Sequence, residues 1–228
     1  MLRGYVICCT ARTGSSLVCQ AAASTGVLGR PREYFNLDDV LSEHPDYPRH
    51  PDAQPEALLK LATTPNGVYG LKVIAYQVET GRAPPDWARR LPNLSFVHLY
   101  RRDLLRQAIS DVRALQTSVF RHGLEPRAEP VYDAGAIQRK MEQILRFDAR
   151  WRLFFGRNGI EPLEVAYETF LAAPQPVLNA LGRLVGVEAP PQMQTEQISL
   201  RLQRDALTEA WRERFVAERG DLTRFDAL

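Results

Sequence analysis

The stretch Tyr5-Val6-Ile7-Cys8-Cys9-Thr10-Ala11-Arg12-Thr13-Gly14-Ser15-Ser16 constrains the fold more than any other part of the chain. A short, continuous apolar run marks a strand covered on both faces, which is typical of parallel sheets. It passes through a small-residue loop into a segment whose Leu17, Val18, Ala21 and Ala22 share one helical stripe, stopping at Thr25-Gly26. A strand, a tight glycine turn and a helix start together predict an α/β unit with unpaired backbone N–H groups at the helix mouth.

The same alternation continues along the chain. Val68–Ile74 and Leu94–Tyr100 read as a second and a third strand, and Leu163–Tyr167 as a fourth. Asp103 is placed to cap a long helix with apolar positions Leu104, Ala108, Val112, Leu115 and Val119. Another helix is expected over 134–157, through Ile137, Met141, Ile144, Leu145, Phe147 and Trp151, with Gly159 ending it. Two more are expected near 175–185 and 204–218. Residues 37–66, rich in Pro, Asp and His, read as an irregular surface excursion with a short helix near Ala57–Leu61. No repeat or linker divides the chain. The expectation is one domain over residues 1–228: three layers, a mostly parallel sheet and helices on both faces.

The loop after the first strand suits an anion. The helix dipole and free N–H groups favour negative charge there, Thr13, Ser15 and Ser16 add hydroxyls, and Arg12 adds a fork able to hold two oxygens. GxxxxGK[ST] requires Lys after its second Gly, and Ser15 follows Gly14 here, so the nucleotide-triphosphatase pattern is absent. Glu168, after the fourth strand, is the one weak candidate for a magnesium carboxylate. A second basic spot, Arg101-Arg102, lies where the third strand enters its helix, and strand ends form the ligand crevice of open α/β sheets. Arg106, Ser110, Arg113 and Thr117 share a polar face of that helix, which could equally be a solvated face. Two anion-suited strand ends suggest a ligand with two phosphate-like groups.

Composition narrows the partners. A net charge of +2 is too small to argue for nucleic acid or an anionic membrane, and no apolar stretch approaches the length of a bilayer span. Cys8, Cys9 and Cys19 are odd in number and lie in apolar surroundings, so they read as reduced, buried residues in a cytoplasmic protein.

The segments "ARTGSSLV", "TGVLGRPREYFN", "TPNGVYGLKV", "HLYRRDLLRQAISDVRALQTSVFR" and "YDAGAIQRKMEQILRFDARWRLFFGRNGIEPLEVAYETF" together resemble the small bacterial sulfotransferases of the trehalose 2-sulfotransferase family, in family order. The resemblance implies a P-loop-like sulfotransferase fold. It also implies transfer of a sulfuryl group from 3′-phosphoadenosine 5′-phosphosulfate (PAPS) to a carbohydrate or glycolipid hydroxyl, without a metal, and a homodimer. It makes Arg12, Thr13, Gly14, Ser15 and Ser16 the 5′-phosphosulfate cradle. "RDLLRQAIS" matches the arginine and serine that hold the 3′-phosphate, which selects Arg102 and Ser110, with Arg101 as the alternative. The looser match "LQRDALTEAWRERF" adds Arg204 as a cofactor contact.

An acceptor hydroxyl needs a base. None of His44, His50, His98 and His122 sits in a segment that places it at the cradle, and His98, mid-strand, reads as a satisfied core residue. Glu33 matches the family's catalytic glutamate, whereas its sequence position alone would pair it with Arg30 or Arg32. Lys72, within the second strand, could reach the transferring group or form a structural ion pair. A small-molecule kinase using the loop for ATP and a non-catalytic module for a phosphorylated ligand are the competing functions. Residues 36–66 and 118–132, expected to line the acceptor side, follow no pattern that identifies the acceptor.

Overall fold

The first strand, buried on both faces, organises the molecule. A computed structural model describes residues 1–119, 125, 127–198 and 206–225. The sheet has four strands, β1 (Arg3–Cys9), β2 (Val68–Ile74), β3 (Leu94–Tyr100) and β4 (Leu163–Ala166), in the order β2-β1-β3-β4, and every pairing is parallel. In β1 successive side chains serve opposite faces. Tyr5, Ile7 and Cys9 pack with Val18, Ala21 and Ala22 of helix α1 (Ser15–Ser24), while Val6 and Cys8 face the cluster that holds Tyr34, Phe35, Trp151 and Phe155. Helices therefore cover both faces, as the apolar run requires.

The segment 37–66 is more ordered than its composition suggests: α2 (Leu37–Glu43), a 3₁₀ turn and α3 (Gln54–Ala62) bury Val40, Leu58 and Ala62. Its hydrophobic residues are few but correctly spaced, and Pro51 and Pro55 sit at helix starts, where proline is tolerated. A short helix, α4 (Ala75–Glu79), extends directly from β2. Asp103 caps α5 (Leu104–Thr117) by accepting the Arg106 N–H at 3.0 Å, and Asp133 and Gly159 bound α6 (Ala134–Asn158). Two apolar positions expected to be core are not: Leu115 is 54% exposed and Leu145 36%. The fourth strand ends at Ala166, and Tyr167 opens α7 (Tyr167–Ala172), followed by α8 (Pro174–Leu184) and α9 (Ala206–Arg219). Among the described residues no helix is long and apolar enough to cross a membrane.

The polar face of α5 is covered rather than solvated. Arg106 pairs with Glu209 and Arg113 donates to Thr208, both on α9, whose Trp211 and Phe215 complete a third apolar cluster with α5 and α6. The cysteines are free and buried, as their context indicates. Burial pushes the Cys9 thiol up to about 11 and that of Cys19 up to about 12, so both stay protonated at neutral pH.

Candidate active site

Local backbone chemistry sets the loop. Gly14 stands immediately before α1 with φ 86°, the left-handed region that glycine enters without strain. A Cβ at Gly14 would lie 2.1 Å from the Tyr167 ring, so glycine is also demanded by close packing. Arg12 holds a left-handed conformation too, φ 59°, which a side-chain-bearing residue adopts only where its surroundings impose it. The Thr13 hydroxyl donates to the Thr10 carbonyl at 3.1 Å, and both Thr13 and Ser15 turn their hydroxyls toward the Cys9 sulfur. In this arrangement both hydroxyls are engaged on the core side of the loop. Gln107 fastens the loop from α5, donating to Thr10 Oγ1 at 2.8 Å and to the Ala11 carbonyl at 2.6 Å.

Cations gather around this loop. Arg12 donates from Nε to Ser110 Oγ at 3.0 Å, which brings the expected Ser110 to the cradle. Arg101 reaches the Arg12 carbonyl at 3.4 Å and lies over the Tyr167 ring, its guanidinium carbon 5.3 Å from the centroid. Arg101 Nε is buried without a hydrogen-bond partner, an orphaned donor beside an anion-suited loop. Burial lowers the pKa of Arg12, Asp111 opposes the shift, and the like charges of Arg101 and Arg113 add to it. Concentrated positive charge of this kind is relieved by a bound anion. The exposed Arg102 guanidinium turns instead to Thr169 Oγ1, at 3.0 Å. Of the adjacent arginines it is thus Arg101 whose side chain meets the loop. Arg204 lies outside the described residues.

Glu168 has a different use from metal binding. Its carboxylate accepts the backbone N–H groups of Arg102 and Asp103 at 3.1 Å, fastening the β4 end to the start of α5. Burial raises its pKa, and these bonds more than reverse that, leaving it below the usual carboxylate value. Among the described residues no group of three or more His, Cys, Asp or Glu side chains is arranged to hold a metal.

Glu33 arrives by a path that β2 dictates. β2 is an edge strand, and the chain after α1 meets its open side where the Lys72 N–H donates to the Arg32 carbonyl at 2.9 Å. The Arg30 N–H ties the same segment to the end of α3 through the Ala62 carbonyl at 2.8 Å. Gly29, at φ 69°, lies so close that a Cβ there would come within 2.5 Å of the Gly70 nitrogen. Tyr34 and Phe35 anchor in the core, so Glu33 between them and Arg32 is fixed beside Lys72. Neither Arg30 nor Arg32 takes it. Arg32 pairs with Glu43 and Asp39, and Arg30 donates to the Thr63 carbonyl. Glu33 Oε1 instead meets Lys72 Nζ at 2.7 Å, and Lys72 also donates to Ser16 Oγ at 3.1 Å. Lys72 is thus a bridge between the loop and the carboxylate. Burial depresses its pKa and the Glu33 charge more than restores it, so the ammonium is retained. His98 is away from this centre, held between Asp148 at 2.8 Å and Glu164 at 3.1 Å.

Gln107, Gln77 and Tyr167 escaped the sequence reading. Gln107 was findable, because it lies three residues before Ser110 and so shares its helix face. Gln77 and Tyr167 follow strand ends without a periodic pattern to mark them.

The loop is thus walled by cations and joined through Lys72 to the partly shielded carboxylate of Glu33. The family model described as Stf0 sulphotransferase matches residues 4–218, and the chain belongs to that family. It is 29% identical to the trehalose 2-sulfotransferase of Mycobacterium tuberculosis (strain ATCC 35801 / TMC 107 / Erdman), covering 95% of this chain and 96% of the relative. It is 27% identical to the trehalose 2-sulfotransferase of Mycolicibacterium smegmatis (strain ATCC 700084 / mc(2)155), covering 92% and 93%. Similar solved structures include the sulfotransferase domain from the curacin biosynthetic pathway (TM-score 0.49, 15% identity, 96% of this chain and 97% of that one). Another is a sulfotransferase from Alicyclobacillus acidocaldarius (TM-score 0.47, 16% identity, 98% of each chain).

Proposed function

We propose that the chain moves a sulfuryl group from PAPS to a carbohydrate or glycolipid hydroxyl by in-line displacement. The observation that carries this reading is the Ser16–Lys72–Glu33 bridge, which sets a proton acceptor next to an anion cradle. PAPS supplies an activated sulfuryl group on a phosphate leaving group. Arg12, with Thr13, Gly14, Ser15 and Ser16, holds the 5′-phosphosulfate and stabilises charge on the bridging oxygen as its bond to sulfur breaks. The orphaned Arg101 Nε and the φ 86° glycine cradle fit such an anion. Arg102 and Ser110 take the 3′-phosphate, with Arg101 as the alternative, and Arg204 adds a cofactor contact. Glu33 accepts the acceptor's proton as the new oxygen–sulfur bond forms. Lys72 faces the transferring group from the Ser16 side. No metal is required.

The name of the two relatives places trehalose first among acceptors, with other sugars and glycolipids after it. Under this reading the chain is a single domain working in the cytoplasm as a homodimer, and sedimentation velocity measures its assembly. The function is tested by incubating the protein with labelled PAPS and an acceptor panel and finding sulfated product by mass spectrometry. In parallel, 3′-phosphoadenosine 5′-phosphate (PAP) is expected to raise the melting temperature more than ATP with magnesium. The opposite order, or no turnover with any acceptor, would overturn the reading in favour of a kinase or a binding module.

A further inference from the structure

Among the described residues, one other side chain besides Lys72 grips Glu33. Gln77, fully buried on α4, donates from Nε2 to Glu33 Oε2 at 3.2 Å, while its Oε1 accepts the Ile74 N–H at 2.9 Å. The amide orientation follows from these partners. Reversed, it would set its oxygen against a carboxylate and its NH₂ against a backbone donor, two repulsions in place of two bonds. The end of β2 therefore dictates which way the amide faces, and the amide dictates where Glu33 Oε2 lies. The two oxygens of Glu33 are unequally held, Oε1 by an ammonium at 2.7 Å and Oε2 by a neutral amide. A carboxylate offers about four lone-pair sites, so each oxygen keeps one for an acceptor hydroxyl.

We infer that Gln77 is a positioning residue that holds the Glu33 carboxylate aimed; this rests on Glu33 being the base. A neutral donor favours the charged form of a carboxylate, and a buried donor with its own second anchor restrains rotation. The groups facing Glu33 are Lys72 from β2, Cys9 from β1, Cys19 from α1 and Tyr76 from α4. The two thiols sit near 11 and 12, Tyr76 is raised by burial, and Lys72 stays charged, so none of them titrates where a carboxylate base does.

The test is the pH profile of kcat/KM for wild type, Glu33→Gln and Gln77→Glu, with donor KM and melting temperature measured alongside. Gln77→Glu keeps size and an oxygen for the Ile74 N–H but faces Glu33 with a second carboxyl, so one pKa of the pair must rise. The acidic limb is expected to move up by about one pH unit or more, a loss of about tenfold in rate on the acid side, with donor KM unchanged. If melting temperature falls while the limb stays where it was, position 77 does not face Glu33 in solution, and that result overturns the inference. Should Gln77→Glu not fold, Gln77→Met removes the donor at similar volume. Lower kcat at unchanged donor KM supports the positioning role, and wild-type kcat refutes it. The two levels separate cleanly. An inactive Glu33→Gln with an unmoved limb in Gln77→Glu sinks Gln77 alone, whereas full turnover in Glu33→Gln removes the base and this inference with it.

Discussion

Replacing Lys72 by Met tests the bridge at the centre of the site. The Lys72 side chain is 6% exposed and that of Glu33 16%, so the substitution leaves a mostly buried carboxylate with Gln77 as its remaining side-chain donor among the described residues. Breaking a fully buried pair costs about 3–5 kcal/mol, and an exposed pair is worth about 0–1 kcal/mol. The residual solvent contact of Glu33 puts Lys72→Met just below the buried range, at about 2–3 kcal/mol. For a chain of this size each kcal/mol moves the melting temperature by about 2–4 °C, so the expected fall is about 4–12 °C. The double variant Lys72→Met with Glu33→Gln removes both charges and is expected to recover most of that loss, a coupling of about 1–3 kcal/mol in a double-mutant cycle. Urea unfolding of the four proteins at neutral pH measures it. If Lys72→Met melts with wild type, or if the losses of the two single variants simply add, the pair is not the energetic unit described here.

Arg12→Ala is expected to abolish turnover and to erase thermal stabilisation by PAP, since it removes a charge-assisted contact at the transfer point; near-normal turnover dismisses the cradle. Glu33→Gln should reduce turnover by roughly 10²–10⁴-fold with PAP affinity retained, as measured by single-turnover kinetics and calorimetry. Arg102→Ala should weaken PAPS far more than adenosine 5′-phosphosulfate if it holds the 3′-phosphate, and the same comparison on Arg101→Ala decides between the two arginines. His98 is buried, which lowers its pKa, yet the bonds to Asp148 and Glu164 more than offset this and raise it overall, with Arg152 and Tyr100 nearby. Its stabilisation is therefore complete below the unfolded pKa and is lost as pH rises through the folded one. Stability should decline from about pH 6.5 upward, and that decline should flatten in His98→Gln, as read by urea unfolding across pH.

The strands and long helices were legible because each has a local signature. β2 and β3 occupy the expected residues, and Asp103, Asp133 and Gly159 bound their helices by side-chain bonds or a left-handed turn. The order of 37–66 was not legible, since a few buried residues among many polar ones give no period. At the site, the loop could be read from residue types alone. What Glu33 pairs with could not, because its partner lies 39 positions away and is reached only through the edge-strand bonds of Arg32. Charge proximity in sequence favoured Arg30 and Arg32, and tertiary geometry gave both other acceptors. Residue types likewise could not tell that the hydroxyls of Thr13 and Ser15 face the core.

The chain from Gly29 to Glu33 also closes the open side of β2, together with Thr64, whose N–H donates to the Val68 carbonyl. An uncovered edge strand is a template onto which another chain can add. The segment that delivers the carboxylate is therefore the guard against self-association too, and the two duties share the same few backbone bonds. Loosening it to admit a bulkier acceptor uncovers N–H and C=O groups along Val68–Ile74, so broadened specificity and loss of solubility arise together. Under the proposed function, variants selected for new acceptors are expected to keep the strip from Gly29 to Glu33 in place.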